Sequence, residues 1–208
     1  MPSTKEPSYT YLALGDSYTI GENVQPHESF PYRVIELLTK EGFNFNSPDI
    51  IAKTGWTTDE LQVSINKYKL LPSYDFVTLL IGVNNQYQGR RVENYKQEFE
   101  SLLKQAIRFA GDKAKHVIVL SIPDWGATPF AADRDKDQIS KEIDAFNAVN
   151  KSLAKRYKTQ YIEITAGTRD HAGDLSFITT DGLHPSGKEY SGWAVKISAI
   201  VKKLMKEV

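Results

Sequence analysis

Ser17 is the first residue in the chain whose type and position suggest chemistry. It follows a short apolar run and the dipeptide Gly15-Asp16, so it lies where the first strand of an open α/β sheet would end, and such sheets bind their ligands at that edge. A serine hydroxyl is a weak nucleophile at neutral pH and needs a base with a pKa of about 7. Because serine is also a common turn residue and helix cap, the nucleophile hypothesis requires a base and an oxyanion site elsewhere.

The candidate base comes from a distant motif, residues 181–186, just before the last predicted helix. His184 follows Asp181 by three residues in a loop shaped by a glycine and a proline. One ring nitrogen can therefore donate a hydrogen bond to the Asp181 carboxylate while the other reaches a serine hydroxyl. His171 is a rival base, but it lacks this Asp-x-x-His-Pro context and lies farther from the last helix.

Gly55 and Asn84 can supply the oxyanion site that acyl transfer requires. Each follows a predicted strand, close to the point where that strand ends. A backbone N–H and a side-chain amide are both hydrogen-bond donors, and one such donor lowers the barrier by about 3 kcal/mol in comparable sites. Gly55 has no Cβ, which would let a substrate oxygen approach its backbone.

The secondary structure that must position these residues alternates strands with helices. Short apolar runs predict strands, and the run at residues 75–81 is apolar on both faces, which is typical of a central parallel strand. Apolar residues repeated at three and four predict helices. We expect strands at residues 9–14, 43–52, 75–81, 116–121 and 161–164, and helices at residues 30–39, 57–68, 92–110, 139–157 and from 185 onward.

Five strands that alternate with five helices predict one three-layer α/β/α domain over residues 1–208, with a parallel sheet. The flavodoxin-like strand order 2-1-3-4-5 is the expected one, because it is a common doubly wound order and accommodates five strands. The crossovers should be right-handed. This order brings the ends of strands one and three, with Ser17 and Asn84, to the same crevice.

Composition narrows the classes of partner. The 26 lysines and arginines balance 26 aspartates and glutamates, which argues against a large basic face for nucleic acid. No apolar run approaches the roughly 20 residues of a membrane span, so we expect no stable membrane insertion. Residues 1–7 are polar and lack the apolar segment of a secretion signal, which favours a cytoplasmic location, although a signal removed earlier stays an alternative. The oligomeric state is left open.

With these residues in order, the sequence resembles the SGNH hydrolase family, also called GDSL esterases and lipases, over residues 11–190. The four matching blocks are Gly15-Asp16-Ser17-Tyr18, Gly55, Gly82-Val83-Asn84-Asn85 and Asp181-Gly182-Leu183-His184. The resemblance implies a flavodoxin-like hydrolase fold that uses neither a metal nor an organic cofactor. It implies Ser17 as nucleophile and His184 as base, oriented by Asp181. It also implies that the oxyanion is held by the backbone amides of Ser17 and Gly55 and by Asn84.

Two residues depart from the family pattern. Tyr18 stands where the name-giving motif has leucine, a position at which the family varies. Asn85 stands where the third block more often reads Gly-x-Asn-Asp. Loss of that carboxylate could change how the loop is braced or how polar the pocket is, so it bears on substrate preference more than on activity.

Four aromatic residues near the site motifs are candidates for substrate binding: Trp56, Tyr87, Trp125 and Phe130. If they border the crevice, they offer flat apolar surface to an acyl chain, an aryl ester or a sugar ring. The alternative is that they only pin loops to the domain. We expect a small pocket for short acyl groups.

The leading hypothesis is a serine esterase that hydrolyses carboxylic esters, of short-acyl, aryl or lysophospholipid type, through an acyl-serine intermediate. The alternative within the family is a carbohydrate acetylesterase. A hypothesis from a different class is a flavin- or nucleotide-binding module, since residues 17–21 loosely resemble a phosphate-binding loop; it leaves the motif of Asp181 and His184 without a role. A non-catalytic carbohydrate-binding relative is disfavoured, because all the catalytic residue types are present.

Overall fold

The protein, seen here as a computed structural model that describes residues 8–206, is built on one parallel sheet of five strands. Residues 1–7, on which the interpretation of the N-terminus rests, lie outside the described residues, as do residues 207–208. The strand order β2-β1-β3-β4-β5 confirms the predicted flavodoxin-like order. The strands are β1 (Tyr11–Asp16), β2 (Asp49–Lys53), β3 (Phe76–Leu80), β4 (Val117–Leu120) and β5 (Gln160–Ile162).

Eight α-helices are found in the described part of the chain. The five longest correspond to the predicted helices. Three short helices were not predicted, because a helix of four to six residues shows too little of the 3.6-residue period to be recognised. The helices are α1 (Ser17–Ile20), α2 (Phe30–Lys40), α3 (Thr58–Ile65), α4 (Val83–Tyr87), α5 (Val92–Phe109), α6 (Lys136–Tyr157), α7 (Thr165–Asp170) and α8 (Gly187–Lys206).

The long helices form two packed groups, α2 with α8 and α3 with α5 and α6. With the right-handed crossovers expected for parallel strands, these groups would cover opposite faces of the sheet. Strands β1, β3 and β4 are buried along their whole length, which explains their continuous apolar sequences. Within residues 8–206, every helix is too short or too polar to traverse a lipid bilayer.

Strand β1 is longer at its carboxyl end than predicted, and this changes the setting of Ser17. The strand does not stop before Gly15 but pairs through Gly15 with Leu80 and through Asp16 with Lys53. A Cβ at position 15 would lie 2.4 Å from the Leu80 carbonyl oxygen, so only glycine allows β1 and β3 to approach this closely. Ser17 consequently begins helix α1 directly rather than lying in a loop.

Strand β2 is shorter than the predicted strand over residues 43–52. It pairs with β1 along its five residues, whereas only an isolated bridge joins Phe45 to Tyr9. The predicted strand over residues 161–164 also shifts, because Ile164 already caps helix α7. The backbone amide of Ile164 donates to the Ser121 hydroxyl at 2.8 Å instead of continuing a strand.

The carboxyl ends of β1, β3 and β4 lead to helix α1, to helix α4 and to a segment with two 3-10 turns, Trp125–Ala127 and Pro129–Ala131. These three segments border a single crevice at the edge of the sheet.

Candidate active site

Ser17 occupies the first position of helix α1 and lines a cleft of about 200 Å³. Asp16 caps this short helix, because its Oδ1 accepts a hydrogen bond from the Tyr18 backbone amide at 3.0 Å. Gly21 ends the helix in the left-handed conformation, with φ of 79°. The nucleophile candidate is therefore held on a rigid strand-to-helix junction, and its side chain is almost fully buried.

Asp16 is a buried acid next to Ser17. Its Oδ2 has no hydrogen-bond partner among the described residues. Burial raises the pKa of Asp16 to about 7, and the hydrogen bond from the Tyr18 amide offsets only part of this rise. Its observed contact is thus the cap of α1, where it braces the junction between strand and helix.

His184 and Asp181 form a close pair on the loop before helix α8. The Nδ1 atom of His184 lies 2.6 Å from Asp181 Oδ2, and Asp181 Oδ1 accepts hydrogen bonds from the backbone amides of Leu183 and His184 at 2.9 and 3.0 Å. Partial burial acts to raise the pKa of Asp181, but the hydrogen bonds from His184 and its neighbours outweigh it and hold this pKa well below its usual value. An ionised Asp181 fixes the tautomer of His184 and leaves Nε2 as the nitrogen free to act as a base.

Ser17 and His184 line the same cleft. In the part of the chain that the structure describes, no direct hydrogen bond joins the Ser17 hydroxyl to the imidazole, whose Nδ1 is engaged by Asp181. Such bonds are often long without substrate and shorten in the reacting complex. The ring of Tyr18 packs beside His184 with its centroid at 5.5 Å, so the imidazole is held from two sides.

Gly55 and Asn84 line the cleft as well. The Asn84 Nδ2 donates one hydrogen bond to the Trp56 carbonyl oxygen at 2.9 Å, which leaves its second N–H for another acceptor. Gly55 has a φ of 84°, and a Cβ there would meet no protein atom within 4 Å. Its positive φ is a backbone conformation that favours glycine, and the expected approach of a substrate oxygen to this backbone stays a prediction.

Asn85, the second departure from the family pattern, is fully buried directly behind Asn84. Its Oδ1 accepts a hydrogen bond from the Thr58 backbone amide at 3.1 Å, and its Nδ2 donates to the Thr58 hydroxyl at 2.7 Å. Asn85 thus braces helix α4 against the start of α3 and contributes nothing to the polarity of the cleft.

The geometry just described agrees with the comparison of the sequence with known families. The model of the GDSL-like lipase/acylhydrolase family matches residues 13–190. The chain belongs to this family. The family prediction made from the four sequence blocks is confirmed. A comparison with curated protein sequences finds no match.

Solved structures share the fold of this GDSL-family chain at low sequence identity. TesA is 18% identical with a TM-score of 0.73, and the match covers 94% of this chain and 99% of that one. A lipase/acylhydrolase from Enterococcus faecalis is 20% identical with a TM-score of 0.74, covering 94% and 96%. An acetylxylan esterase from Geobacillus stearothermophilus is 17% identical with a TM-score of 0.69, covering 93% and 94%. At these identities the likeness establishes the flavodoxin-like hydrolase fold.

Three of the four aromatic residues suggested for substrate binding form one wall of the cleft in this GDSL-family chain. Tyr87 and Trp125 meet edge to face with centroids 5.3 Å apart, and Phe130 contacts Trp125 at 6.0 Å. The Trp125 indole N–H donates to Gln86 Oε1 at 2.6 Å, and Gln86 Nε2 donates to Glu142 at 2.7 Å. Trp125 is therefore fixed in orientation, whereas Tyr87 and Phe130 stay about half exposed at the rim.

Trp56 and His171 lie elsewhere. Trp56 is partly buried and packs against the hydrophobic core, and among the described residues it does not belong to the set that lines the cleft. Its position argues against the predicted substrate contact, since only its carbonyl oxygen serves the site, through Asn84. His171 stacks on Phe177, and its Nδ1 lies 2.7 Å from Glu189 Oε2, which engages the rival base in a separate cluster.

Several residues around the site of this GDSL-family chain were not found by sequence reasoning. Asn23 Nδ2 donates to Asp181 Oδ2 at 2.5 Å, although 158 positions separate the two residues, and no local signal reveals such a contact. Val83 and Leu183 line the cleft beside Asn84 and His184. These two could have been suggested, because each stands next to a residue of a recognised block. Within residues 8–206, no group of three or more histidine, aspartate or glutamate side chains could hold a metal ion.

Proposed function

We propose that this protein is a carboxylic ester hydrolase that acts through an acyl-serine intermediate. The observation that carries the proposal is that His184, hydrogen-bonded to Asp181, lines the same cleft as Ser17 and Asn84. Membership of the GDSL-like lipase/acylhydrolase family supports it.

The proposed reaction uses only side chains and amides of this cleft. The Ser17 hydroxyl attacks the ester carbonyl carbon, and His184 Nε2 takes the hydroxyl proton. The negative charge on the carbonyl oxygen is held by the backbone amides of Ser17 and Gly55 and by the free N–H of Asn84. His184 then returns the proton to the leaving alcohol, and a water molecule, activated by the same imidazole, hydrolyses the acyl-serine.

The size and lining of the cleft support esters with a short acyl group and an uncharged or aryl alcohol. Its volume of about 200 Å³ lies below the roughly 300–1,000 Å³ of pockets that enclose drug-sized ligands. Its walls are mainly apolar and aromatic, and among the described residues that line it none is a lysine or arginine. The phosphate of a lysophospholipid would find no cation there, so we rank that substrate class below short acyl and aryl esters.

The test is hydrolysis of p-nitrophenyl esters of increasing chain length by the full chain and its variants. Ser17→Ala and His184→Ala should each lower kcat on the order of a million-fold, because nucleophile and base act as one unit. Ser101→Ala and His27→Ala, two exposed positions outside the cleft, should match the wild type. Labelling of the wild type but not of Ser17→Ala by a fluorophosphonate identifies the nucleophile. Wild-type turnover in either cleft variant contradicts the proposal, as would flavin absorbance in the purified protein.

A second candidate is a carbohydrate acetylesterase, for which the exposed rim is the specific observation. Tyr87 and Phe130 are 50% and 45% exposed, and flat aromatic faces at a rim suit stacking on a sugar ring. On acetylated xylooligosaccharides, Tyr87→Ala should raise KM roughly two- to tenfold and leave KM for p-nitrophenyl acetate nearly unchanged. Equal effects on both substrates would leave the simple esterase as the better assignment.

A further inference from the structure

The hydrogen bonds of Asn85 have only one possible orientation. Its Oδ1 faces the Thr58 backbone N–H, which can only donate, at 3.1 Å. Its Nδ2 lies 2.7 Å from the Thr58 hydroxyl and 3.4 Å from Glu98 Oε2 on helix α5. Because an ionised carboxylate only accepts hydrogen bonds, the amide nitrogen must point toward Glu98.

The Thr58 hydroxyl links Asn85 to Glu98. It accepts from Asn85 and donates its single proton to Glu98 Oε2. The hydrogen bonds of the three side chains therefore all run in one direction, from Asn85 through Thr58 to Glu98. Asn85 and Thr58 are fully buried, so water cannot replace a missing donor. A carboxylate at position 85 would face the partly buried Glu98 carboxylate at a separation of about 3.4 Å, and two acids this close repel each other unless one binds a proton.

This series of hydrogen bonds joins the two segments of the protein that carry the proposed oxyanion donors. Thr58 begins α3, three residues after Gly55, and Asn85 follows Asn84 on α4. Asn84 binds the same turn from the other side, at the Trp56 carbonyl oxygen, at 2.9 Å. Two adjacent asparagines thus hold α4 against residues 55–58, one through the backbone of the turn and one through the start of the helix.

We propose that Asn85 is a positioning residue whose neutral amide, acting through Thr58 and Glu98, sets the distance between the Asn84 side chain and the Gly55 amide. The acid of this network lies at Glu98, so a carboxylate at position 85 is incompatible with it. The inference rests on the proposed esterase function, because that function makes the spacing of the two donors matter.

The experiment exchanges the amide and the acid. Asn85→Asp should lower kcat about ten- to a hundredfold, less than the loss of a whole oxyanion donor, and should leave KM nearly unchanged because the donors act in the transition state. The double variant Asn85→Asp with Glu98→Gln reverses the direction of these hydrogen bonds. The glutamine amide then donates to the carboxylate introduced at position 85, and the Thr58 hydroxyl can do the same. The double variant should recover kcat to within about threefold of the wild type.

A matched control removes a different hydrogen bond between α3 and α5, the helices that carry Thr58 and Glu98, and leaves this network intact. Gln62 of α3 donates to Gln105 of α5 at 2.7 Å, and Gln62→Ala should leave kcat unchanged. If Asn85→Asp does not fold, Thr58→Val, which removes the hydroxyl at similar volume, takes its place and should lower kcat with KM nearly unchanged.

The outcomes are distinct. A fall in kcat that the double variant reverses supports the inference. Wild-type kcat in folded Asn85→Asp or Thr58→Val overturns it, and so does a fall in kcat that Glu98→Gln does not reverse in a folded double variant. If the wild-type chain hydrolyses no ester, the proposed function itself fails and the inference fails with it, so the two failures are told apart by the wild type alone.

Discussion

Asp181 and Asp16 are both acids beside the candidate site, and their surroundings move their pKa values in opposite directions. Asp181 accepts hydrogen bonds from the His184 ring, from two backbone amides and from the side chains of Asn23 and Thr179. Partial burial acts to raise its pKa, but the hydrogen bonds from His184, Leu183 and Thr179 outweigh this and hold the pKa low. Asp16 accepts one backbone hydrogen bond and is otherwise enclosed, which raises its pKa to about 7. The first acid is suited to stay ionised beside an imidazole, and the second keeps its proton up to about pH 7.

Asp16 should make the stability of the protein depend on pH. The unfolded chain releases the Asp16 proton near pH 4, whereas the folded protein keeps it up to about pH 7. Between these values the folded state binds more protons, so the free energy of unfolding should fall as the pH rises, and this loss should be complete above about pH 7. The difference of about three pKa units corresponds to a loss of up to about 4 kcal/mol.

The measurement is urea unfolding of the wild type and of Asp16→Asn from pH 4 to pH 8. Asparagine keeps a side-chain oxygen for the Tyr18 amide but has no proton to release in this range. The stability of the variant relative to the wild type should therefore rise with pH, while the other titrating groups cancel in the comparison. If the stability of the two proteins changed with pH in parallel, this would show that burial does not raise the pKa of Asp16.

At the scale of elements, the segment after β4 is held by a buried carboxylate. Asp124 is fully buried. It accepts hydrogen bonds from the Gly126 amide at 2.9 Å, the Ser140 hydroxyl at 2.5 Å and Arg169 Nε at 2.8 Å. These contacts tie the turn that carries Trp125 to helices α6 and α7. An irregular segment can therefore present a fixed aromatic wall to the cleft.

Removal of this carboxylate should cost both stability and substrate binding. Asp124→Ala leaves Arg169 and the Gly126 amide without their buried partner and should destabilise the protein by about 2–4 kcal/mol. KM for p-nitrophenyl esters should rise, because the Trp125 wall loses its support. Thermal unfolding and steady-state kinetics measure the two effects.

Asp144→Ala is the matched control for that substitution. Asp144 binds the same arginine at 2.8 Å, but its side chain is 59% exposed, so its loss should cost less than about 1 kcal/mol and leave KM unchanged. Equal losses of stability in the two variants would mean that the burial of Asp124 does not add to its contribution to the free energy of unfolding.

At the scale of the whole molecule, one continuous hydrophobic core connects both faces of the sheet. It extends in sequence from Tyr11 to Met205 and includes residues of the five longest helices and of all five strands. A core shared in this way predicts that the chain unfolds as one cooperative unit, in keeping with the prediction of a single domain. The cleft is part of that unit, since Trp125 belongs to the same core.

The cooperative transition can be followed with two probes. The three tryptophans lie at separate places, with Trp56 beside the Gly55 turn, Trp125 at the cleft and Trp193 on helix α8. Tryptophan fluorescence and far-UV circular dichroism should give superimposable urea unfolding curves. Two separated transitions would divide the chain into independent units and contradict the prediction.

The sequence alone was sufficient for the features that repeat or that stand in fixed order. Strand β3 was predicted because its residues form a continuous apolar run, and helices α5 and α6 were predicted because their apolar residues repeat at helical spacing over many turns. The family was predicted because four blocks with Ser17, Gly55, Asn84 and His184 occur in order. Asp181 could be paired with His184 because the two are only three residues apart. The catalytic roles of these residues stay predictions until the variants are assayed.

Only the tertiary structure decided the contacts between residues that are distant in sequence and lack a period. Helices α1, α4 and α7 have too few residues to show one, and the packing of the strands that precede them determines where they begin. Trp56 turned toward the core while Tyr87 reached the cleft, although both follow a site motif. The sequence marked Asn85 as a departure, but its partners Thr58 and Glu98 came from other helices, because a buried amide is satisfied by whatever the fold brings within hydrogen-bond distance.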